Sequence, residues 1–308
     1  MASKESGVSS MLPIQTAGQP PQPPMRAGLG AQVCIKTGYT KNGEKMVSKV
    51  AAGGGDDTGN TGVVFVFDQN SLRLETILCD EGLLTEVRTA AACAYASKVL
   101  LGSRTREITK VGIVGGGVQA CWQLRLLGAG VLPASCRSVV VKTRSKKSAE
   151  KFMERMRSSS YAPDREWKFE HFESVEDGGE AFHKCQLIHT LTPSRVPVVF
   201  ASDVCIPSHA HDPDIAFLHI TAVGADSPGK CELDPDLIRE ADKLVCDSIP
   251  QSKERGEFQS YKFDEELSEL GSVTITPHEI IKTCFTIFDS SGLALQDVEM
   301  ANLVSRNL

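Results

Sequence analysis

The sequence predicts an α/β protein built on a mostly parallel sheet with helices on both faces. Two observations carry this. From Lys110 onward, short apolar runs alternate with segments of helical spacing, as in a chain that keeps returning to one edge of a sheet. The first of these runs, Lys110–Val114, feeds directly into Gly115-x-Gly117-x-x-Ala120. The first glycine lets the chain turn tightly out of a strand. The second lets backbone N–H groups approach a pyrophosphate, and the small third residue lets the following helix pack closely. Free N–H groups and the positive dipole end also favour an anion at such a helix start. Taken alone, the loop could be a plain strand–helix turn; its context makes it a dinucleotide loop.

The elements follow in order. Residues 1–24 are rich in Ser, Gln, Gly and Pro and are expected to form a flexible tail. Residues 53–62 are glycine-rich but lack an adjacent GK[ST], so they are not a P-loop. Residues 63–67 read as a strand and 72–79 as its partner. Residues 84–101, alanine-rich with helical spacing, read as a long packed helix. Strands are expected at 110–114, 138–142, 167–171, 185–190, 217–223 and 243–247, with helical segments at 119–127, 145–156 and 235–241. Residues 285–304 combine a Ser-Ser-Gly turn with an amphipathic helix.

Composition narrows the function classes. A chain of 308 residues is long enough for about two domains. Its net charge of -6 argues against non-specific nucleic-acid binding. No apolar run approaches the roughly 20 residues that span a bilayer. Met11-Leu12-Pro13-Ile14 is too short for a signal-peptide core, so a cytoplasmic location is expected. The 10 cysteines are scattered without CxxC spacing, which suits reduced core residues. Cys205, His209, His211 and Asp212 are the nearest approach to a metal cluster; a loop with exposed histidines explains them, and no metal is assigned.

Cofactor choice is read at the end of the second strand, where an acid binds the ribose 2′-OH and an arginine accommodates a 2′-phosphate. Here the chain reads Val-Lys-Thr143-Arg144-Ser145-Lys-Lys without an acid, which favours NADP(H) over NAD(H). Further cofactor contacts are expected from Val118 and Gln119 in the loop, from Thr89, and from Thr190, Val223 and Gly224.

Several segments outside the loop matter together. They are Met25-Arg26, Lys45-Met-Val-Ser-Lys49, Leu84-Thr85-x-x-Arg88-Thr89-Ala90-Ala91, Val223-Gly-Ala-Asp226-x-Pro-Gly-Lys-x-Glu232-Leu-Asp, and Phe288-Asp289-Ser-Ser-Gly292. In this order, from about Arg26 to Val304, the chain resembles the ornithine cyclodeaminase/μ-crystallin family. The resemblance implies a Rossmann-type dinucleotide-binding domain, residues 106–284, inserted in a smaller α+β substrate-binding and dimerisation domain, residues 25–105 plus 285–308. It implies a homodimer, with no membrane or nucleic-acid partner. It also implies that Arg26, Lys49 and Arg88 grip an amino-acid substrate, with Lys45 close to Lys49. Asp226 and Lys49 would act in proton transfer. One departure stands out: the Ser/Pro/Gln-rich tail replaces the family's usual N-terminal strand and helix.

The chemistry of these residue types agrees. A substrate carboxylate suits a planar guanidinium, and a desolvated lysine can polarise an imine or relay a proton. The implied function is an NAD(P)-dependent enzyme resembling ornithine cyclodeaminase, which converts L-ornithine to L-proline and ammonia by oxidation at Cα, cyclisation and reduction. Asp226 and Asp289 lean towards this lyase reading. The alternatives are an alanine or other amino-acid dehydrogenase, an NADPH-dependent ketimine reductase acting on cyclic imines, and a non-catalytic μ-crystallin-like protein binding NADPH and small ligands.

Overall fold

In a computed structural model the strands collect into two sheets, one antiparallel and one parallel. The structure describes residues 6–13, 32–40, 43–53, 61–157, 165–173, 182–208, 216–261, 267–273 and 284–307. The chain divides into two compact units: Met1–Arg88 with Leu293–Leu308, and Thr89–Gly292.

The antiparallel unit contains β1 (Ser6–Pro13), β2 (Gln32–Tyr39), β3 (Lys45–Gly53), β4 (Thr61–Asp68) and β5 (Leu74–Leu78), hydrogen-bonded in that order. Side chains alternate between faces with period two. Val47, Val64 and Val66 therefore share one face, and they pack against Val298 and Ala301 of the C-terminal helix Ala294–Ser305. The same face carries Gly38, where an added Cβ would lie 2.7 Å from Ala294 Cβ. It also carries Lys36 and Lys49, directly opposite each other across the β2–β3 ladder and both buried.

The parallel unit holds β6 (Lys110–Val114), β7 (Ser138–Thr143), β8 (Lys168–Glu173), β9 (Leu187–Thr190), β10 (Leu218–Ala222), β11 (Lys243–Cys246), β12 (Ser268–Glu269) and β13 (Phe285–Asp289). Their order is β12-β11-β13-β10-β9-β6-β7-β8, and neighbours pair in parallel. Such strands are covered on both faces, so they read as near-continuous apolar runs. Val111, Ile113, Val139 and Val141 enter one core, while Val114, Val140, Ile220 and Ile287 enter the other. The helices are α1 (Leu83–Leu101), α2 (Val118–Gly130), α3 (Lys146–Arg157), α4 (Pro235–Arg239) and α5 (Ile249–Arg255); the C-terminal helix is α6. Helix α1 buries Ala90, Cys93, Ala94, Ser97 and Leu101, an i, i+3, i+4, i+7 stripe. The order of the sheet reverses beside β6, and an α/β sheet binds its ligand at the carboxyl ends of the strands at such a point.

Three expectations change. Residues 6–13 form strand β1, paired antiparallel with β2, within what the sequence suggests is a flexible tail. Its partner β2 supplies a ladder that composition alone does not reveal. Residues 285–289 form β13, inside the parallel sheet between β10 and β11, rather than part of the smaller domain. Their FTIFD run is buried throughout, as a central parallel strand must be. The unit boundaries accordingly fall at 88/89 and 292/293, where the sequence suggests 105/106 and 284/285.

A hydrogen-bonded chain crosses the interior of the parallel unit. Ser97 Oγ lies 3.4 Å from His189 Nε2 and 3.3 Å from Thr221 Oγ1. Thr221 Oγ1 lies 3.1 Å from His219 Nε2, and His219 Nδ1 lies 2.7 Å from Thr286 Oγ1. Burial pushes both histidines from 6.5 down to about 3, so they are neutral at ordinary pH. Between those values the unfolded chain binds the extra protons, and these groups therefore make stability fall as pH drops from about 6.5. Replacing His189 with Gln removes one such proton. Urea unfolding should then show a fall in stability between about pH 6 and about pH 5 that is shallower than wild type by up to ~1.4 kcal/mol per pH unit.

Candidate active site

The carboxyl end of β6 has the geometry that a dinucleotide loop requires. Gly115 has φ +102, and an added Cβ would lie 2.9 Å from Leu191 O, so only glycine fits that turn. Its N–H donates to Lys142 O at 2.9 Å, and Leu191 N–H donates to Val114 O at 2.8 Å. Gly116 sits against α3, with Ser148 O 3.1 Å from the position of an added Cβ. Gly117 is different: its Cβ position meets nothing within 4 Å. No side chain caps α2 at that residue, and Val118 and Gln119 form the first turn. Ala120 is fully buried, as close helix packing demands. Open space before an uncapped helix start fits a pyrophosphate.

At the end of β7, Thr143 is buried and its hydroxyl donates to Ser145 O at 2.9 Å while lying 2.9 Å from His171 Nε2. Arg144, Ser145, Lys146 and Lys147 are exposed beyond it. At the ends of β9 and β10, Val223 N–H donates to Thr190 O at 3.0 Å. Thr190 Oγ1 and Gly224 N–H both donate to Glu232 Oε2 at 2.7 Å, so the Thr190 hydroxyl is engaged within the protein. Asp226 is exposed and pairs with Lys230 at 2.5 Å. Thr89 follows Arg88 on α1 and is half-buried.

The antiparallel unit holds a second cluster. Lys49 Nζ donates to Asp297 Oδ1 at 2.6 Å, and Arg88 Nε lies 3.1 Å from the same oxygen. Arg88 Nη1 donates to Gln296 Oε1 at 2.6 Å. Lys49, Arg88 and Asp297 are 2%, 7% and 5% exposed, so the charges are desolvated and one carboxylate faces two cations. Two buried atoms keep unused capacity among the described residues: Asp297 Oδ2 has no hydrogen-bond partner there, and Arg88 Nε makes an ion pair without hydrogen-bond alignment. Burial, then the Arg88 charge, lowers Lys49 to about 7, with Lys36 adding to the effect and Asp297 opposing it. Burial alone would raise the Asp297 carboxyl, but Arg88 and Lys49 hold it below its ordinary value. A lysine near neutrality can both give and take a proton. Lys45 instead pairs with Glu75 at 2.5 Å, partly exposed.

Residues 42–308 match the family model described as the ornithine cyclodeaminase/mu-crystallin family. The chain belongs to this family. Its relatives span several activities. Alanine dehydrogenase of Archaeoglobus fulgidus is 33% identical over 237 residues, covering 74% of this chain and 65% of that protein. Iminosuccinate reductase of Paracoccus denitrificans is 29% identical, covering 78% and 68%. Ornithine cyclodeaminase of Brucella suis is 27% identical, covering 75% and 59%. A solved archaeal alanine dehydrogenase dimer with bound NAD has a TM-score of 0.70 at 25% identity, over 97% of this chain and 87% of that one. A lysine cyclodeaminase structure shares the fold at TM-score 0.73 and 22% identity, over 98% and 80%.

Arg26, which the family resemblance adds to the substrate grip, lies outside the described residues, as do His209, His211 and Asp212. Among the described residues, no group of three or more His, Cys, Asp or Glu side chains could hold a metal ion, and no helix is long and apolar enough to cross a membrane. Asp297, Gln296, Lys36 and Glu232 carry no role in the sequence-based reading. Asp297 had a signal: it interrupts the buried stripe Ala294, Val298, Ala301 at the i+3 position. A lone acid on such a face needs a buried cation.

Asp297→Asn should leave Lys49 and Arg88 buried without their counter-charge, costing about 3–5 kcal/mol in urea unfolding. Because Asp297 opposes the lowering of Lys49, the variant's lysine should titrate below the wild-type value of about 7. Side-chain NMR of the lysine reads this directly; an unchanged or higher value would remove Asp297 from that role.

Proposed function

We propose that this chain is an NAD(P)-dependent enzyme acting at the Cα–N bond of a small α-amino acid or its imine, with cyclodeamination of L-ornithine as the first reaction to test. The buried Lys49–Asp297–Arg88 cluster carries this reading, because its orphaned polar atoms suit a zwitterionic ligand. Arg88 would hold the substrate carboxylate through its fork of donors. Lys49, lowered to about 7, would move a proton at the substrate nitrogen, and Asp297 would fix its position. Asp226 would hold the ammonium or accept its proton, with Arg26 as a third cation. A bound dinucleotide would supply the redox step at Cα; the chain supplies position and charge.

The loop at Gly115 and Gly117 would take the pyrophosphate. The exposed Arg144, Lys146 and Lys147, with no acid from 138 to 149, support NADP(H). The outward face of the antiparallel sheet bears Ile35, Val50, Val63, Phe65 and Ile77, a surface suited to a homodimer. No disulfide joins the 10 cysteines, in keeping with a cytoplasmic setting. A specific observation favours a net dehydrogenase or imine reductase as the second reading. Asp289, which leans the sequence towards cyclodeaminases, is fully buried and hydrogen-bonded by Ser252, so its role here is internal.

Incubation with L-ornithine and a trace of NAD or NADP, followed by product analysis, separates the readings. Proline and ammonia in large excess over cofactor indicate cyclodeamination. Net NAD(P)H formation with alanine, or NAD(P)H consumption with a cyclic imine, indicates the second reading. Arg88→Ala should lower kcat/KM by about 100-fold or more, as expected when a charged binding group is lost, while dinucleotide affinity stays within about twofold.

A further inference from the structure

Glu232 is fully buried at the edge of the sheet where β9 and β10 end. Four donors converge on its two carboxyl oxygens. Oε2 accepts from Thr190 Oγ1 and from Gly224 N–H, both at 2.7 Å. Oε1 accepts from Thr192 N–H at 2.6 Å and from Thr192 Oγ1 at 2.8 Å. Two of these donors are backbone amides, which cannot turn and accept. The environment is thus built for a carboxylate anion. The fit is also tight: a Cβ on Gly224 would lie 2.0 Å from Thr192 O and 2.6 Å from the Glu232 carboxyl carbon.

Two other buried acids lie at this edge, and they have a different status. Glu257 accepts the N–H groups of Glu232 and Leu233, and burial together with the Glu232 charge pushes it well above the usual carboxylate range. Burial, then the neighbouring Asp247, pushes Asp289 to about 8. Asp289 therefore holds its proton near neutrality. Burial raises Glu232 as well, opposed by its hydrogen bonds, and the four donors make it the acid here with the most direct support for an anion.

In a sheet of this order, the half that begins with the glycine loop takes one mononucleotide, the adenosine side, and the half containing β9 and β10 takes the other. The second mononucleotide carries the nicotinamide ring, cationic when oxidised and neutral when reduced. We propose that Glu232 sets the relative affinity of this site for the two redox forms, its buried charge favouring the oxidised, cationic ring. By linkage, each tenfold preference for the oxidised form lowers the potential of the bound two-electron couple by about 30 mV. The effect makes the bound reduced cofactor a stronger donor towards imines. This inference rests on the dinucleotide reading of the loop.

The test is binding, not turnover. Dissociation constants for oxidised and reduced dinucleotide are measured by calorimetry and by reduced-cofactor fluorescence on wild type, Glu232→Gln and Thr190→Val. Glu232→Gln should weaken the oxidised form more than the reduced form, shifting the ratio on the order of tenfold. Thr190→Val is nearly isosteric; losing one donor to the anion, it should move the ratio the same way by less. A purely structural role would change both constants together. A ratio unchanged in the variants that fold overturns the proposal. Failure of either form to bind wild type would instead overturn the dinucleotide reading itself.

Discussion

A charged lysine cannot sit inside a sheet face made of valines unless a carboxylate meets it there. Lys49 is such a lysine, and the carboxylate is Asp297, 248 residues further along the chain. That requirement draws α6 onto β2 and β3, where Val298 and Ala301 complete the apolar contact. The antiparallel unit is therefore made from both ends of the chain, and everything from Thr89 to Gly292 becomes an excursion between them. The same ion pair brings in Arg88, whose Nε shares the Asp297 oxygen. The fold of this unit rests here on one buried set of charges.

Legibility in the sequence followed the solvent. Strands of the parallel sheet are covered on both sides, so KVGIV and LHITA announce themselves as apolar runs, and β6 was placed to the residue. The glycine loop was readable because each small residue answers to a distinct constraint, now visible as the positive φ of Gly115, the open space at Gly117 and the burial of Ala120. Strands β2 and β3 are hard to read in the sequence. Their inward positions carry Lys36, Gly38 and Lys49, which break the alternation that marks a half-buried strand. Nothing local places residues 285–289 in the parallel sheet, because their neighbours β10 and β11 come earlier in the chain, a crossover no local pattern encodes. Of the candidate site, Lys49 and Arg88 are legible through the family motifs, whereas Asp297 shows only as an acid in a buried helix stripe, and nothing local names its partner 248 residues away.

The parallel unit handles buried polarity differently. Its two internal histidines stay neutral, while burial pushes the Glu257 and Asp289 carboxyls above their ordinary range. These two sets act with opposite sign on stability. The histidines penalise acid conditions. The raised acids lose stability as pH rises through their native values, for Asp289 from about 3.8 towards about 8. A flat overall pH profile would thus conceal large opposing contributions.

The placement of α6 at the far end of the chain has a consequence for biosynthesis. While the ribosome is still working, β3 emerges with Lys49 long before Asp297 exists. The N-terminal sheet cannot close its charged face during that interval. Nascent chain leaving the exit tunnel can meanwhile complete the excursion that follows, whose contacts are internal to it. Strands made well before α6 are then among the last parts of this unit to settle.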